Sequence, residues 1–534
     1  MNYACFPRTQ PWAAAGERAR GREKGAVGPV VIFLLFVFSG LGLSMILFSQ
    51  AYLRMNGHRK FSTLMDYASE NGIKRALRDI GEWLESSGSV VPIPAGRLED
   101  FRQDPPAVFA ALLEETLSGG FPRLLKESEN GMSWECFSTC GFRGIEDRGE
   151  YCRVLARLRI ESSGGWARLP PKRVSSLEGE LGILAGHLPL PSIPLLINKE
   201  MTEAEKGGFM KANGISFLRG TLNALSPPFV ATGREMIPKD ASPLAAKALG
   251  IGVFAPQDLT PAKLRAALGL EPSEDPVPDG VYLIKNDLGL GGIFVQGDTD
   301  EIVLAIDGDA QVIVFRMDDA EWSLRYSPAR SRTDFLTPGG VFSYDLVPLG
   351  IIIVNGKIDS LGGGVVETDG AAVMVKDREI PSILAGVGLT IVSSDRVTLS
   401  SHLIIQGVRW QDGIPYLKES QSQLVIFSTG QDLLTQAETD GGIAVAEGSP
   451  GELKVHASLT SAKRDFEIGG SGKTVEVLGA LHSANFKGNG NMLRIAPDER
   501  FADGGTGGGD YFPLTAEPRL SVYSLKVLGW KEYE

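Results

Sequence analysis

The Gly-Lys-Thr of Ile468-Gly469-Gly470-Ser471-Gly472-Lys473-Thr474 is the core of a phosphate-binding loop. Such a loop cradles an anion with backbone N–H groups and passes it to the N-terminus of the helix that follows. Two features work against that chemistry here. Glu467 stands where the pattern needs its first Gly, and its carboxylate repels phosphate. Thr474-Val475-Glu476-Val477-Leu478 alternates as a strand. A turn between strands is the expectation, and no cofactor is expected anywhere in the chain.

Asp298, Asp300, Asp307 and Asp309 look like a calcium cluster. The strand pattern from Glu301 to Ile306 lies between the pairs and separates them by roughly 20 Å at about 3.3 Å per residue. One ion cannot serve all four, and no EF-hand spacing is present. Solvated turns are expected, with at most a weak surface calcium site at Asp298 and Asp300. His58, His187, His402, His456 and His482 are scattered, without a His-x-x-x-His pair or a Gly-x-Ser-x-Gly elbow. Asp395, Arg396, Arg409 and Asp412 are the nearest approach to the carboxylate and basic groups of a polysaccharide-cleaving site. Charged turn residues of that kind are far commoner than catalytic ones, so no catalytic residue and no metal is assigned.

Cys136, Cys140 and Cys152 could form one disulfide in an oxidising compartment, or three quarters of a zinc site. No histidine lies nearby, which favours a disulfide; the pairing is open. Lys+Arg number 53 and Asp+Glu 65 in 534 residues, a formal charge of −12. With no basic stripe interleaved with aromatics, nucleic acid is not an expected partner.

What must position these residues begins with an anchor. From Ala26 to Ala51 no residue is charged, and Val27, Val30, Phe33, Leu35, Phe38, Leu41 and Leu47 belong to an apolar run long enough to cross a bilayer. Pro29 is tolerated because it falls in the first helical turn. Beyond Gln50 apolar residues recur at Phe61, Leu64, Met65, Ala68, Ile73, Ala76, Leu77, Ile80 and Leu84, the spacing of one helix face. Five basic residues (Arg8, Arg18, Arg20, Arg22, Lys24) precede the span, against Arg54, Arg59 and Lys60 after it. That excess places the N-terminus in the cytoplasm and the rest of a single-pass inner-membrane protein outside, in the periplasm or at the cell surface.

The stretch Tyr67-Ala68-Ser69-Glu70-Asn71-Gly72-Ile73-Lys74-Arg75-Ala76-Leu77 resembles the Tyr-Ala-Ala-Glu-Ala-Gly-Ile-Glu-Arg-Ala-Leu segment that follows the membrane helix of PilX-type minor pilins of type IV pilus systems. Tyr67, Glu70, Gly72, Ile73, Ala76 and Leu77 are the matching positions. Lys24-Gly25 resembles the site cut by prepilin peptidase, which implies a mature chain beginning at Ala26. Two positions depart from the pattern: a pilin begins with Phe and carries Glu fifth, where this chain has Ala26 and Val30. In that family the Glu pairs with a neighbouring subunit's N-terminal amine, so its absence counts against ordinary mid-filament packing and leaves a terminal position open; the K-type minor pseudopilin of type II secretion likewise lacks it and sits at the tip. Exported proteins with this anchor often carry units similar to Ile353-Val354-Asn355-Gly356, Leu389-Thr390-Ile391-Val392-Ser393 and Leu478-Gly479-Ala480-Leu481-His482-Ser483-Ala484, and an end similar to Leu528-Gly529-Trp530-Lys531-Glu532.

The expected fold class is mixed, in six segments: a cytoplasmic leader 1–25, a transmembrane and stalk helix 26–85, a small α+β pilin-like region 86–165 with a helix from Pro106 to Leu117, a Pro-rich connector and irregular middle 166–280, a β-rich domain 281–500 and a tail 501–534. Within the middle segment Thr260 (N-cap), Pro261, Leu264, Leu268 and Gly269 mark one helix. Short strands punctuated by Gly, Asn and Asp after Gly280 point to all-β structure, a β-helix-like solenoid ahead of a sandwich. The functional expectation is a non-enzymatic, envelope-anchored minor or tip component of a type IV pilus-like assembly. Its partners are the membrane and pilus or pseudopilus subunits, and its surface ligand is unknown. A membrane-tethered β-helix enzyme acting on polysaccharide and a plain anchored structural protein are the alternatives.

Overall fold

The computed structural model describes residues 27–85, 90–93, 124–129, 132–148, 150–166, 169–218, 229–232, 236–252, 254–286, 289–368, 370–411, 414–416, 422–498, 500 and 512–533. The chain divides into two compact units, Met1–Tyr67 and Ala68–Glu534. Helix α1, Val27–Glu85, provides the described part of the first, with Val30, Phe33, Leu35, Phe38, Leu41 and Leu47 exposed. It is long and apolar enough to cross a membrane. The expected helix from Pro106 to Leu117 lies outside the described residues.

In the second unit a six-stranded antiparallel sheet runs in the order Val90–Pro92, Arg519–Tyr533, Leu169–Gly186, Tyr151–Trp166, Met132–Asp147, Leu124–Glu129. Val154, Ala156, Leu158, Ile160 and Ser162 are buried while Arg157 and Arg159 are exposed, the period-two pattern of a sheet with one covered face. Ala68, Ser69, Ile73 and Ala76 of α1 are buried, and the Ser69 hydroxyl lies 2.7 Å from that of Ser175 in the sheet. Two expected boundaries are thereby corrected. Leu169–Gly186 is a long strand and not a connector, because Pro170 and Pro171 fall at its very start, where a missing N–H is tolerated. Arg519–Tyr533 is a strand inside the sheet and not a tail.

The rest of the second unit is inserted in this sheet. Gly186 is the cross-strand partner of Arg519, so the chain leaves and re-enters at neighbouring positions. The neck is closed by Thr515: its N–H donates to the Leu188 carbonyl (2.8 Å), its hydroxyl accepts from the Leu188 N–H (3.0 Å), and its carbonyl faces His187 Nδ1 (2.9 Å).

The insertion is built on three parallel ladders. In the first, Ile293, Ile352, Ile391, Ile426, Leu459, Leu481, Leu195 and Phe229 lie each opposite the next. In the second, Ile302, Leu361, Leu399, Val445 and Ile468 do the same. Leu453, Val475, Leu493 and Ile215 form the third. All of these side chains belong to one buried core. From Gln423 to Ala496 the chain visits the three ladders in turn, over and over. At the other end the second ladder continues into an antiparallel meander, Glu301–Asp307, Ala310–Met317, Ala320–Ser327, Arg332–Thr337 and Gly340–Tyr344.

The middle segment, expected to be irregular, has a definite place. Leu195–Ile197, Ile215–Phe217 and Phe229–Ala231 add parallel strands beyond Leu481–Ser483 and Met492–Ala496, closing that end of the ladders. Helix α2, Glu203–Ala212, lies between them and starts with a capping box in which Thr202 and Glu205 exchange hydrogen bonds. Helix α3, Ser242–Leu249, covers the outer face of the first ladder: Leu244, Ala245 and Ala248 share a second core with Phe294, Ile351, Ile353 and Phe427. The approach is close enough that a Cβ on Gly292 would lie 2.8 Å from the Ala248 Cβ. Helix α4, Pro261–Ala267, is the expected one: Thr260 accepts from the Lys263 N–H, Leu264 is buried and Gly269 has φ +73°. From 281 to 498 the described residues hold short strands and no α-helix.

Candidate functional site

A cavity opens where the first ladder turns into the second. It measures about 590 Å³ and is lined by Asp279, Asp298, Asp300, Asp318, Asp359, Lys357 and Trp322 among others. Asp298 and Asp300 are expected as solvated turn residues, with at most a weak calcium site between them. The cation among these carboxylates is instead the chain's own: Lys357 Nζ lies 2.9 Å from Asp359 and 3.9 Å from Asp298, whose Oδ1 also accepts from the Lys357 N–H. The hydrogen bond to Asp359, helped by its charge and by those of Asp298 and Asp300, raises the Lys357 pKa and keeps the ammonium in place. Asp307 and Asp309, beyond the intervening strand, pair with Arg325 and Arg330 and do not reach this group. Among the described residues no cluster of three or more His, Cys, Asp or Glu could hold a metal ion.

The loop with the Gly-Lys-Thr core is a turn, as expected. The Lys473 ammonium donates to the carbonyls of Ala446 (2.7 Å) and Glu447 (2.7 Å) and to the Ser449 hydroxyl (2.8 Å), fastening one pass of the chain to the previous one. Burial lowers its pKa against the pull of Glu447. A lysine so engaged presents nothing to a phosphate, and the strand Thr474–Leu478 follows directly.

The histidines do not make a catalytic centre. His482 is held between the Thr460 hydroxyl (2.8 Å at Nδ1) and the Ile193 carbonyl (2.7 Å at Nε2), which fixes the proton on Nε2. The geometry is that of a hydroxyl nucleophile with its base, but Thr460 and His482 are wholly buried inside the first ladder, where no substrate reaches. Burial pushes the His482 pKa down to about 4. His456, also buried, is pushed down to about 3. Its Nδ1 accepts from the Ile405 N–H (3.2 Å), while the Trp410 N–H stands 3.4 Å from Nε2. A neutral imidazole has one bare nitrogen, so the shorter contact is the hydrogen bond and Trp410 is a packing neighbour.

Asp395, Arg396 and Arg409 likewise do not converge. Asp395 closes its own turn, accepting from the N–H groups of Arg396 (2.7 Å) and Asp440 (3.1 Å). Arg396 pairs with Glu467 at 2.9 Å, and Arg409 is exposed on the hairpin Arg409–Gln411 and Ile414–Tyr416. Asp412 lies outside the described residues.

The thiol expectation needs correcting. Cys136 is opposite Ser162, Cys140 opposite Leu158 and Cys152 opposite Asp147. At about 3.3 Å per residue, Cys140 is roughly 13 Å from Cys136 and roughly 20 Å from Cys152 along the ladder. A disulfide needs Cα atoms within about 7 Å, so no pair of the three bonds in this sheet.

Of the positions that match the pilin segment, Gly72, Ile73 and Ala76 face inward, Tyr67 is exposed and Glu70 pairs with Lys74 at 3.3 Å. Gly25 and Ala26 lie outside the described residues. Lys357, Trp322 and Asp279 escaped sequence reasoning, because only the fold brings three separated turns to one cavity; Lys357, just after Asn355-Gly356, was the one local hint of a turn cation. No family model, no curated protein and no solved structure matches this chain.

Proposed function

We propose that the protein is a non-enzymatic, pilin-like component of a type IV pilus-like assembly, held by its N-terminal helix in the inner membrane and presenting a solenoid outside. The observation that carries this reading is the helix-on-sheet module: the segment Ala68 to Ala76 buries its small and apolar face, with Ser69 against Ser175, on an antiparallel sheet that follows directly in the chain. The same residues carry the resemblance to PilX-type minor pilins. The solenoid reading rests on the columns of like side chains in three parallel ladders and on the repeated circuit between them, in which each pass covers the core of the next. A non-enzymatic role is favoured because Lys473, His456, His482 and Asp395 are each engaged in holding a turn or a ladder.

The test is the N-terminus of the mature protein, determined on material taken from membranes. The proposal expects Ala26, with the leader through Gly25 removed. A retained Met1, or a cut after Ala51, would contradict it.

A further inference from the structure

Just past the apolar span, α1 carries Arg54, Arg59 and Lys60, all exposed, and none of them forms an ion pair among the described residues. At about 100° per residue, these three project from the helix in directions roughly 120° apart. They lie within about 9 Å of helix axis, at 1.5 Å per residue. Basic residues that served a docked helix or a protein surface would share one face; these encircle the rod. The chain has no Asp or Glu between Ala26 and Met65, so the nearest carboxylate on the helix, Asp66, lies about 9 Å along the axis beyond Lys60. His58 stands exposed within the same turns, and Tyr52, 60 % exposed, sits at the junction with the apolar run, where an amphipathic ring suits a membrane–water boundary.

We infer that Arg54, Arg59 and Lys60 form a collar that binds the anionic phosphate headgroups of the lipids around the helix, on the side of the membrane where the folded part of the chain begins. The ligand is lipid rather than free phosphate because the collar follows directly on a run that places it at headgroup depth, and because three separated directions cannot close on one small anion. Long basic side chains there lay their stems along the apolar helix and leave their charges among the headgroups. The collar also accounts for basic residues on the side opposite the charge-rich leader, where orientation alone does not call for them. The inference rests on the helix spanning the bilayer, but not on the pilin-like reading or on which end is cytoplasmic.

The full-length chain, reconstituted in phosphatidylcholine bilayers containing spin-labelled phosphatidylglycerol or spin-labelled phosphatidylcholine, tests it through the fraction of label immobilised at the protein. The expected result is a preference for phosphatidylglycerol of about fivefold at low salt, shrinking as salt is added. Arg54→Gln, Arg59→Gln and Lys60→Gln together should abolish the preference, and Arg54→Lys with Arg59→Lys should keep it. Equal immobilisation of the two lipids by the natural chain, or a preference that survives the triple substitution, would overturn the collar. A chain that floats with neither bilayer would overturn the membrane span, and the collar with it.

Discussion

The antiparallel sheet and the inserted parallel ladders bury their strands in different ways. From Cys152 to Gly164 every second residue is buried, since one face of that sheet lies against the helix and the other is open to water. In Ile351–Asn355 and Gln423–Ser428 all residues are buried. Inward residues such as Ile352 and Ile426 fill the space between the ladders, and outward ones such as Ile353 and Phe427 are covered by α3 and the chain around Leu188 to Ile193. A half-wet sheet needs one partner, whereas a ladder covered on both faces needs two. For the first ladder the second partner comes from the middle segment, through α3 and the chain around Leu188 to Ile193.

The difference predicts unequal sensitivity. A Cβ added at Gly350 would lie 1.8 Å from the carbonyl oxygen of Gly388 in the next pass, and backbone cannot yield as a side-chain tip does. Gly350→Ala should destabilise the insertion by about 3 kcal/mol, measured by denaturant unfolding, while hydrogen-exchange protection in Tyr151–Trp166 stays as it was. Equal loss in both regions would show that they unfold as one.

Acid should separate the two regions next. His482 and His456 are neutral in the fold, with pKa values pushed down to about 4 and about 3 from an ordinary 6.5. Their contribution is therefore complete above pH 6.5 and is lost as pH falls from 6.5 toward those values, because the unfolded chain takes up the protons first. His482 alone accounts for roughly 3 kcal/mol over that window. The sheet strands between 124 and 186 and between 519 and 533 contain no histidine. Between pH 6.5 and 5, hydrogen-exchange protection relative to the free-peptide rate at each pH should fall in the insertion and not in the sheet, and His482→Gln should reduce the pH slope. A flat profile in the insertion would contradict the burial of these rings.

The legible parts of this fold were those whose signals are local. Thr260, Pro261 and Gly269 each act within a turn or two, and α4 lies where they put it. The strand grammar after Gly280 was legible because β-branched runs and Gly-Asn-Asp turns alternate within a few residues. Leu169–Gly186 was obscured by Pro170 and Pro171, whose usual meaning as chain breakers outweighed the alternation of Leu177, Leu181 and Ile183 behind them. The final strand had no local sign of its partner, because Arg519–Tyr533 pairs with a segment that precedes the whole insertion. The cavity at Lys357 was hidden for the same reason, being assembled from turns that only the ladders bring together.

A helix-and-sheet module carries the ladders as a guest inserted between cross-strand neighbours. Since Gly186 faces Arg519, an Asn-Gly pair can replace residues 187–518 and close the two strands as an ordinary hairpin. Hydrogen exchange on this shortened chain, purified from membranes, is the direct measurement. The expected result is that Tyr151–Trp166, Leu169–Gly186 and Arg519–Tyr533 keep the protection they have in the full chain. Loss of protection across all three strands would contradict the account, since it would mean that the sheet depends on the ladders it carries.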